Sequence, residues 1–173
     1  MSDERKNFQS TYENIRSCLI ELRLSGADEK IEEDSGKFIT GIQDRNFGMF
    51  IEITFQADFV NIKVSPDVLF EVPDMVPFYQ LINEINLKLM DIGHFALNEA
   101  EDDLVLQASV DLSDDNFDRE QMLTTIQRIS IQGLQLFKLM KEMFGGDQCP
   151  FHLLHNYIEE VRQTQVFDKK TIH

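Results

Sequence analysis

Three stretches with the two-residue period of β-strands constrain this chain most. Met49, Ile51, Ile53 and Phe55 alternate with Phe50, Glu52 and Thr54. After a tight connection at Gln56–Asp58, Val60, Ile62 and Val64 alternate with Asn61 and Lys63. Further on, Leu104, Leu106, Ala108, Val110 and Leu112 alternate with Val105, Gln107, Ser109 and Asp111. Alternation of this kind puts one side of each strand in a core and the other at a polar surface. Phe38 to Ile42 is a further short strand, joined through a turn at Asp44–Gly48, so 38–64 reads as a three-stranded antiparallel meander. Phe95 and Leu97, with a turn at Glu99–Asp103, pair with the Leu104 strand as a hairpin. Strands delivered as hairpins exclude a parallel doubly wound sheet.

Helical spacing fills the rest. Phe8, Tyr12, Ile15, Leu19 and Leu22 fall on one stripe of a first helix, which Gly26 closes. Residues 28–34 hold five acids and one lysine and suit an exposed loop. A second helix starts near Pro77, a favourable first-turn residue. It carries Phe78, Leu81, Ile82, Ile85, Leu89 and Ile92 inward, and Gly93 supplies its left-handed end. Acids at 114–118 favour the start of a third helix running from about Phe117 to Phe144. Its face combines Leu123, Ile126, Ile129, Gly133, Phe137, Met140 and Phe144 with Leu134, Leu136, Leu139 and Met143. That stripe is wider than one sheet face can cover, so either the last helix or a second subunit must lie over it. A final amphipathic helix opens at Pro150 with Phe151, Leu154, Ile158 and Val161.

The expected fold is therefore α+β: an antiparallel sheet of about five strands with helices packed on it, in the order α-βββ-α-ββ-α(-α). The expected domains are 1–146 and a C-terminal helical extension, 147–173. At 173 residues the chain is long enough to bury a core without disulfide or metal support. Cys18 and Cys149, 131 positions apart, read as two ordinary thiols of a reducing, cytoplasmic environment. No apolar run is long enough for a membrane span and no secretory leader opens the chain. Sixteen Lys and Arg against thirty-one Asp and Glu give a formal charge of −15. Nucleic acid and anionic membranes need basic surface, so neither is an expected partner.

Sites for chemistry are few. There is no Gly-rich phosphate loop, nucleophile elbow or His-Glu-x-x-His helix. Cys149, His152 and His155 are the candidate metal ligands, since thiolate and imidazole suit zinc or copper, but spacing places no fourth ligand. Acids at 99–103 and 111–118 lack the calcium-loop spacing and suit turns and a helix start. Asn83 and Asn86 sit beside the apolar face of the second helix. Asn competes for backbone hydrogen bonds, so this pair either binds a neighbouring strand or peptide, or faces water.

The segments Leu81-Ile82-Asn83-Glu84-Ile85-Asn86 and Gly93-His94-Phe95-Ala96-Leu97, followed by the Leu104–Leu112 strand and the Leu123–Phe144 helix, resemble the YbjN family of bacterial proteins. The likeness runs from about Gly36 to Phe144. The acidic stretch 28–34 and residues 149–173 are not parts of that pattern. The resemblance implies a fold similar to type III secretion chaperones and a regulatory or chaperone-like role, and it carries no catalytic residues. The function expected is a non-enzymatic protein-binding module, cytoplasmic and homodimeric, that needs no cofactor and docks a protein partner on apolar helix and sheet surface. Asn83, Asn86, Leu134, Leu136, Phe137, Met140 and Phe144 are the expected partner or dimer surface. The alternatives are a type III secretion chaperone proper, a metal-binding sensor or enzyme built on Cys149, His152 and His155, and a purely structural assembly piece.

Overall fold

A computed structural model describes residues 3–24, 27–44, 47–57, 59–67, 75–98, 103–112, 119–145 and 156–159. Its elements run α1 (Asp3–Glu21), β1 (Asp28–Ile31), β2 (Gly36–Asp44), β3 (Phe47–Phe55), β4 (Phe59–Pro66), α2 (Met75–Lys88), β5 (His94–Asn98), β6 (Asp103–Asp111) and α3 (Arg119–Gly145). The strands form one antiparallel sheet in the order β1-β2-β3-β4-β6-β5. The fold is α+β, as the alternation demanded, with six strands instead of five.

The additional strand is β1, in the segment expected as a loop. Asp28, Glu29 and Lys30 have little intrinsic preference for a strand, only Ile31 favours one, and all four are exposed. Pairing with β2 from Asp28↔Ile39 to Ile31↔Gly36 supplies what the composition lacks. Glu32 N donates to Ser35 O at 2.9 Å and closes the hairpin.

The chain forms two compact units. The first holds α1, the whole sheet and α3 as far as Gln135. Its core lies on one face of the sheet, where Phe38, Met49, Ile51, Ile53, Phe55, Val60, Ile62, Val64 and Leu106 are buried. α1 packs there through stacked rings: Phe8 on Phe55 at 5.3 Å, Tyr12 on Phe38 at 5.6 Å, and Phe38 on Phe55 at 5.6 Å between centroids. α3 joins the same face with Met122, Ile126 and Ile129. It comes close to the sheet at Gly133, where a Cβ would stand 3.1 Å from Val64 Cγ1. Arg119 ties α3 to α1, its guanidinium donating to Ser17 Oγ at 3.1 Å and Glu21 Oε2 at 2.6 Å. The second unit holds α2, α3 from Leu136 and a helical turn at 156–159. Its buried apolar side chains are Phe78, Leu81, Ile82 and Ile85 of α2, Leu136, Phe137, Met140 and Met143 of α3, and Ile158.

Two glycine expectations change. Gly26 lies outside the described residues, and Arg23 ends α1 with φ of +60°. Leu24 N donates to Leu19 O at 2.7 Å and Arg23 N to Ile20 O at 3.0 Å, the paired bonds of a Schellman cap. Gly93 has the expected positive φ (+72°) but does not cap α2, which stops at Lys88. It lets β5 start against β6, since a Cβ at Gly93 would lie 2.4 Å from Gln107 O. α2 also begins at Met75, two residues before the expected start, which still leaves Pro77 within its first turn. On α3 the buried stripe starts at Met122, with Leu123 half-buried.

The expected domain boundary at residue 146, and most of the expected C-terminal helix, lie outside the described residues.

Candidate partner-binding surfaces

The six-stranded order leaves β1 as one edge of the sheet, and the physics of an edge follows from its ladder. Glu32 and Ser35 form a hydrogen-bonded pair, so by alternation Lys30 and Asp28 also bond inward to β2. The N–H and C=O groups of Glu29 and Ile31 then point to the open edge. Beside that edge, between α1 and β1, lies a cleft of about 180 Å³ lined by Arg16, Leu19, Ile20, Leu24, Ala27, Glu29 and Phe38. Its walls are mostly apolar. Ile20 is 58% exposed and Ile31 47%.

Polar contacts fix the shape of this cleft. Tyr12 Oη donates to Glu29 Oε2 at 2.8 Å, and Arg16 Nε lies 3.4 Å from Glu29 Oε1. The hydrogen bond to Glu29, helped by burial, raises the Tyr12 phenol above its ordinary value. At the hairpin, Lys30 Nζ lies 2.9 Å from Glu32 Oε1 and holds that carboxyl below its usual range. The edge is therefore strongly acidic in sequence, with five acids and one lysine over 28–34.

A larger cleft of about 930 Å³, with polar and apolar lining, lies where β5, β6 and the start of α3 meet. It is lined by His94, Ser109, Asp111, Glu120, Gln121, Thr124 and Thr125 among others. Two of its hydroxyls, those of Thr125 and Ser109, are committed elsewhere. Thr125 Oγ1 donates back to Gln121 O at 2.8 Å, and Ser109 Oγ donates to Asn61 Oδ1 at 3.3 Å. The His94 ring lies 3.0 Å from the Gln107 side-chain amide. These contacts do not build a nucleophile–base pair of the sort acyl transfer needs.

Cys18 is buried, and its Sγ lies 3.8 Å from Arg119 O. Burial pushes the thiol upward, only partly opposed by the Arg119 charge. A protonated, enclosed thiol is a core residue. Cys149, His152 and His155 lie outside the described residues. Among the described residues no group of three or more His, Cys, Asp or Glu is placed to hold a metal ion.

The expected partner surface divides. Leu136, Phe137 and Met140 are buried within the single chain, and Leu134 is half-buried. The three buried residues offer no open face. Phe144 lies in α3, but its side chain is outside the description. Asn83 is exposed and Asn86 half-buried, so the outward side of α2 is the part of that surface left open. It also carries Val76 (65% exposed), Tyr79 (48%) and Leu87 (81%), which sequence reasoning passed over because the opposite face has the longer apolar run. The β1 edge was missed for a different reason, since its acids conceal a strand. Both left a legible trace: apolar residues off the helical stripe at 76, 79 and 87, and a lone Ile31 among acids.

The sequence model of the YbjN family, described as "Putative bacterial sensory transduction regulator", matches residues 13–142. The match takes in the acidic segment 28–34 and begins within α1, well before Gly36. No curated protein matches the chain. Among the described residues no helix is long and apolar enough to cross a membrane.

Proposed function

The chain belongs to the YbjN family, and from that premise we propose that it is a regulatory protein-binding module without a catalytic step, which takes an extended segment of a partner protein along the free edge of β1. One observation carries this reading: an open strand edge lies directly beside an apolar cleft. Added strands gain main-chain hydrogen bonds from such an edge and specificity from alternate side-chain pockets. Glu29 and Ile31 supply the main-chain groups. Ile20, Leu24 and Ala27 supply an apolar wall for alternate residues of the guest, and Ile31 adds an exposed apolar side chain on the strand itself.

Charge names the guest further. Acids at 28–34, in a chain of formal charge −15, favour an extended segment with lysine or arginine between its apolar residues. A short, charged edge also discourages flat sheet-to-sheet aggregation, so β1 selects a complementary single strand over another edge.

The test uses a fluorescent eight-residue peptide of alternating leucine and lysine, with a proline-interrupted version as control. Binding by the full chain, followed by anisotropy, is expected for the first and not the second. Ile20→Asp should weaken binding at least tenfold, while circular dichroism shows an unchanged fold. Equal binding of both peptides, or indifference to Ile20→Asp, refutes the reading.

A further inference from the structure

The two sides of β1 carry different chemistry. Glu29 and Ile31 lie opposite Phe38 and Gly36, on the side of the sheet that α1 covers. Tyr12 and Arg16 of α1 hold the Glu29 carboxylate there. Asp28 and Lys30 lie opposite Ile39 and Lys37 and face the other way. Lys30 Nζ reaches Glu32 Oε1 at 2.9 Å, which sets Glu32 on that side too. All three are exposed. Along its outer side the edge thus reads acid, base, acid, at every second residue.

Lys30 is the odd residue of this row, because it works against its own strand pairing. Its partner across β2 is Lys37, and like charges directly opposite each other weaken a strand pair. Lys37 is already engaged by Glu52 at 3.0 Å. A glutamate at position 30 would oppose Lys37 favourably and would match the acids on either side of it. In return Lys30 gains only an exposed pair with Glu32, and such pairs contribute little. A lysine on an edge also guards against sheet-to-sheet pairing, a role indifferent to the charge order of a guest. The larger gain lies on the open side. A strand added to the free edge sets its side chains directly opposite those of β1, within reach of opposite-charge pairing. An acid of the guest opposite Lys30, with bases opposite Asp28 and Glu32, turns the whole row into matched pairs. The order acid, base, acid is the same from either end, so this complement holds for a guest of either direction.

We propose that Lys30 selects the guest: the partner segment carries an acidic residue opposite Lys30, between basic residues two positions before and two positions after it. This rests on the β1 reading above and narrows it, because a net charge of −15 alone would rank a purely basic segment first.

Three fluorescent seven-residue peptides with leucine at every odd position test it, in anisotropy titrations of the full chain. The first has lysine at all three even positions, the second has glutamate at the middle one, and the third has glutamate at the first one. The middle-glutamate peptide should bind at least about threefold tighter than the all-lysine peptide, although it is less positive, and tighter than its isomer. Lys30→Glu, at an exposed position, should invert the order of the first two peptides. Lys30→Gln should remove most of the difference between them, with circular dichroism unchanged in both variants. Loss of all binding in Ile20→Asp ties the peptides to the β1 edge. Tightest binding of the all-lysine peptide by the unmodified chain, equal binding of all three, or an order that Lys30→Glu leaves as it was overturns the proposal while the β1 reading stands. Binding of none of the three removes the β1 reading and this inference with it.

Discussion

Gly36 offers the sharpest test of how α1 is held on the sheet. It opens β2 directly opposite Phe55 of β3, and glycine ordinarily weakens a strand. Here its missing side chain makes room for a ring. A Cβ at Gly36 would lie 2.1 Å from Phe55 Cζ, 2.5 Å from Cε1 and 2.8 Å from Cε2. Phe55 cannot swing aside, since it is 1% exposed and stacked against Phe8 and Phe38. Gly36→Ala therefore overpacks a filled site, at about 1–3 kcal/mol. Restricting the unfolded chain returns about 0.4–1 kcal/mol. The net is a loss of about 1–2 kcal/mol, or about 2–4 °C in Tm per kcal/mol for a chain of this size. Phe55→Leu removes all three clashing atoms. In that background Gly36→Ala should be neutral or slightly stabilising, which gives a coupling of about 1–3 kcal/mol between the two positions. Urea titrations of the four proteins, followed at the helical circular-dichroism band, measure it. A single variant as stable as the parent, or an equal loss in both backgrounds, refutes the packing argument.

Other consequences are simpler. Arg23→Gly should stabilise the chain by about 0.5–1 kcal/mol, because glycine adopts the left-handed cap without the cost borne by a β-carbon; a lower Tm would show that Arg23 is not in that conformation. Cys18, in a Cys149→Ser background, should react with an aromatic disulfide reagent only as fast as the fold opens, so urea should accelerate labelling; rapid labelling of the native chain would contradict its burial. Tyr12 has a raised pKa, so its contribution to stability is fully present below the unfolded phenol's value and is lost as pH climbs through the folded one. Tyr12→Phe should accordingly be less stable than the parent near neutrality and match it at strongly alkaline pH, as thermal unfolding across that range would reveal.

The sheet was legible wherever one face is buried and the other wet. The strands 47–55, 59–66 and 103–111 sit where period two placed them, because burial on one side writes itself into every second residue. β1 was not, since an exposed edge strand has no buried side to impose a pattern, and its pairing comes from β2 and its anchoring from Tyr12 and Arg16. Helix ends suffered from trusting glycine. A Schellman cap at Arg23 depends on local hydrogen bonds that no residue type announces, and Gly93 serves strand packing instead of a helix end. The wide stripe of α3 was read correctly as needing cover, but whether the chain's own residues or a second copy provides it is a tertiary fact. Leu136, Phe137 and Met140 are covered within one chain, which leaves α2 with the open apolar side.

The central claim, that the β1 edge receives another protein's strand, is tested most directly by amide hydrogen exchange of residues 28–31 with and without saturating leucine–lysine peptide. The outward amides of Glu29 and Ile31 should slow by at least tenfold on peptide addition, while those of Asp28 and Lys30, already bonded to β2, should change little. Unchanged exchange at Glu29 and Ile31 under conditions where the peptide is bound would contradict it.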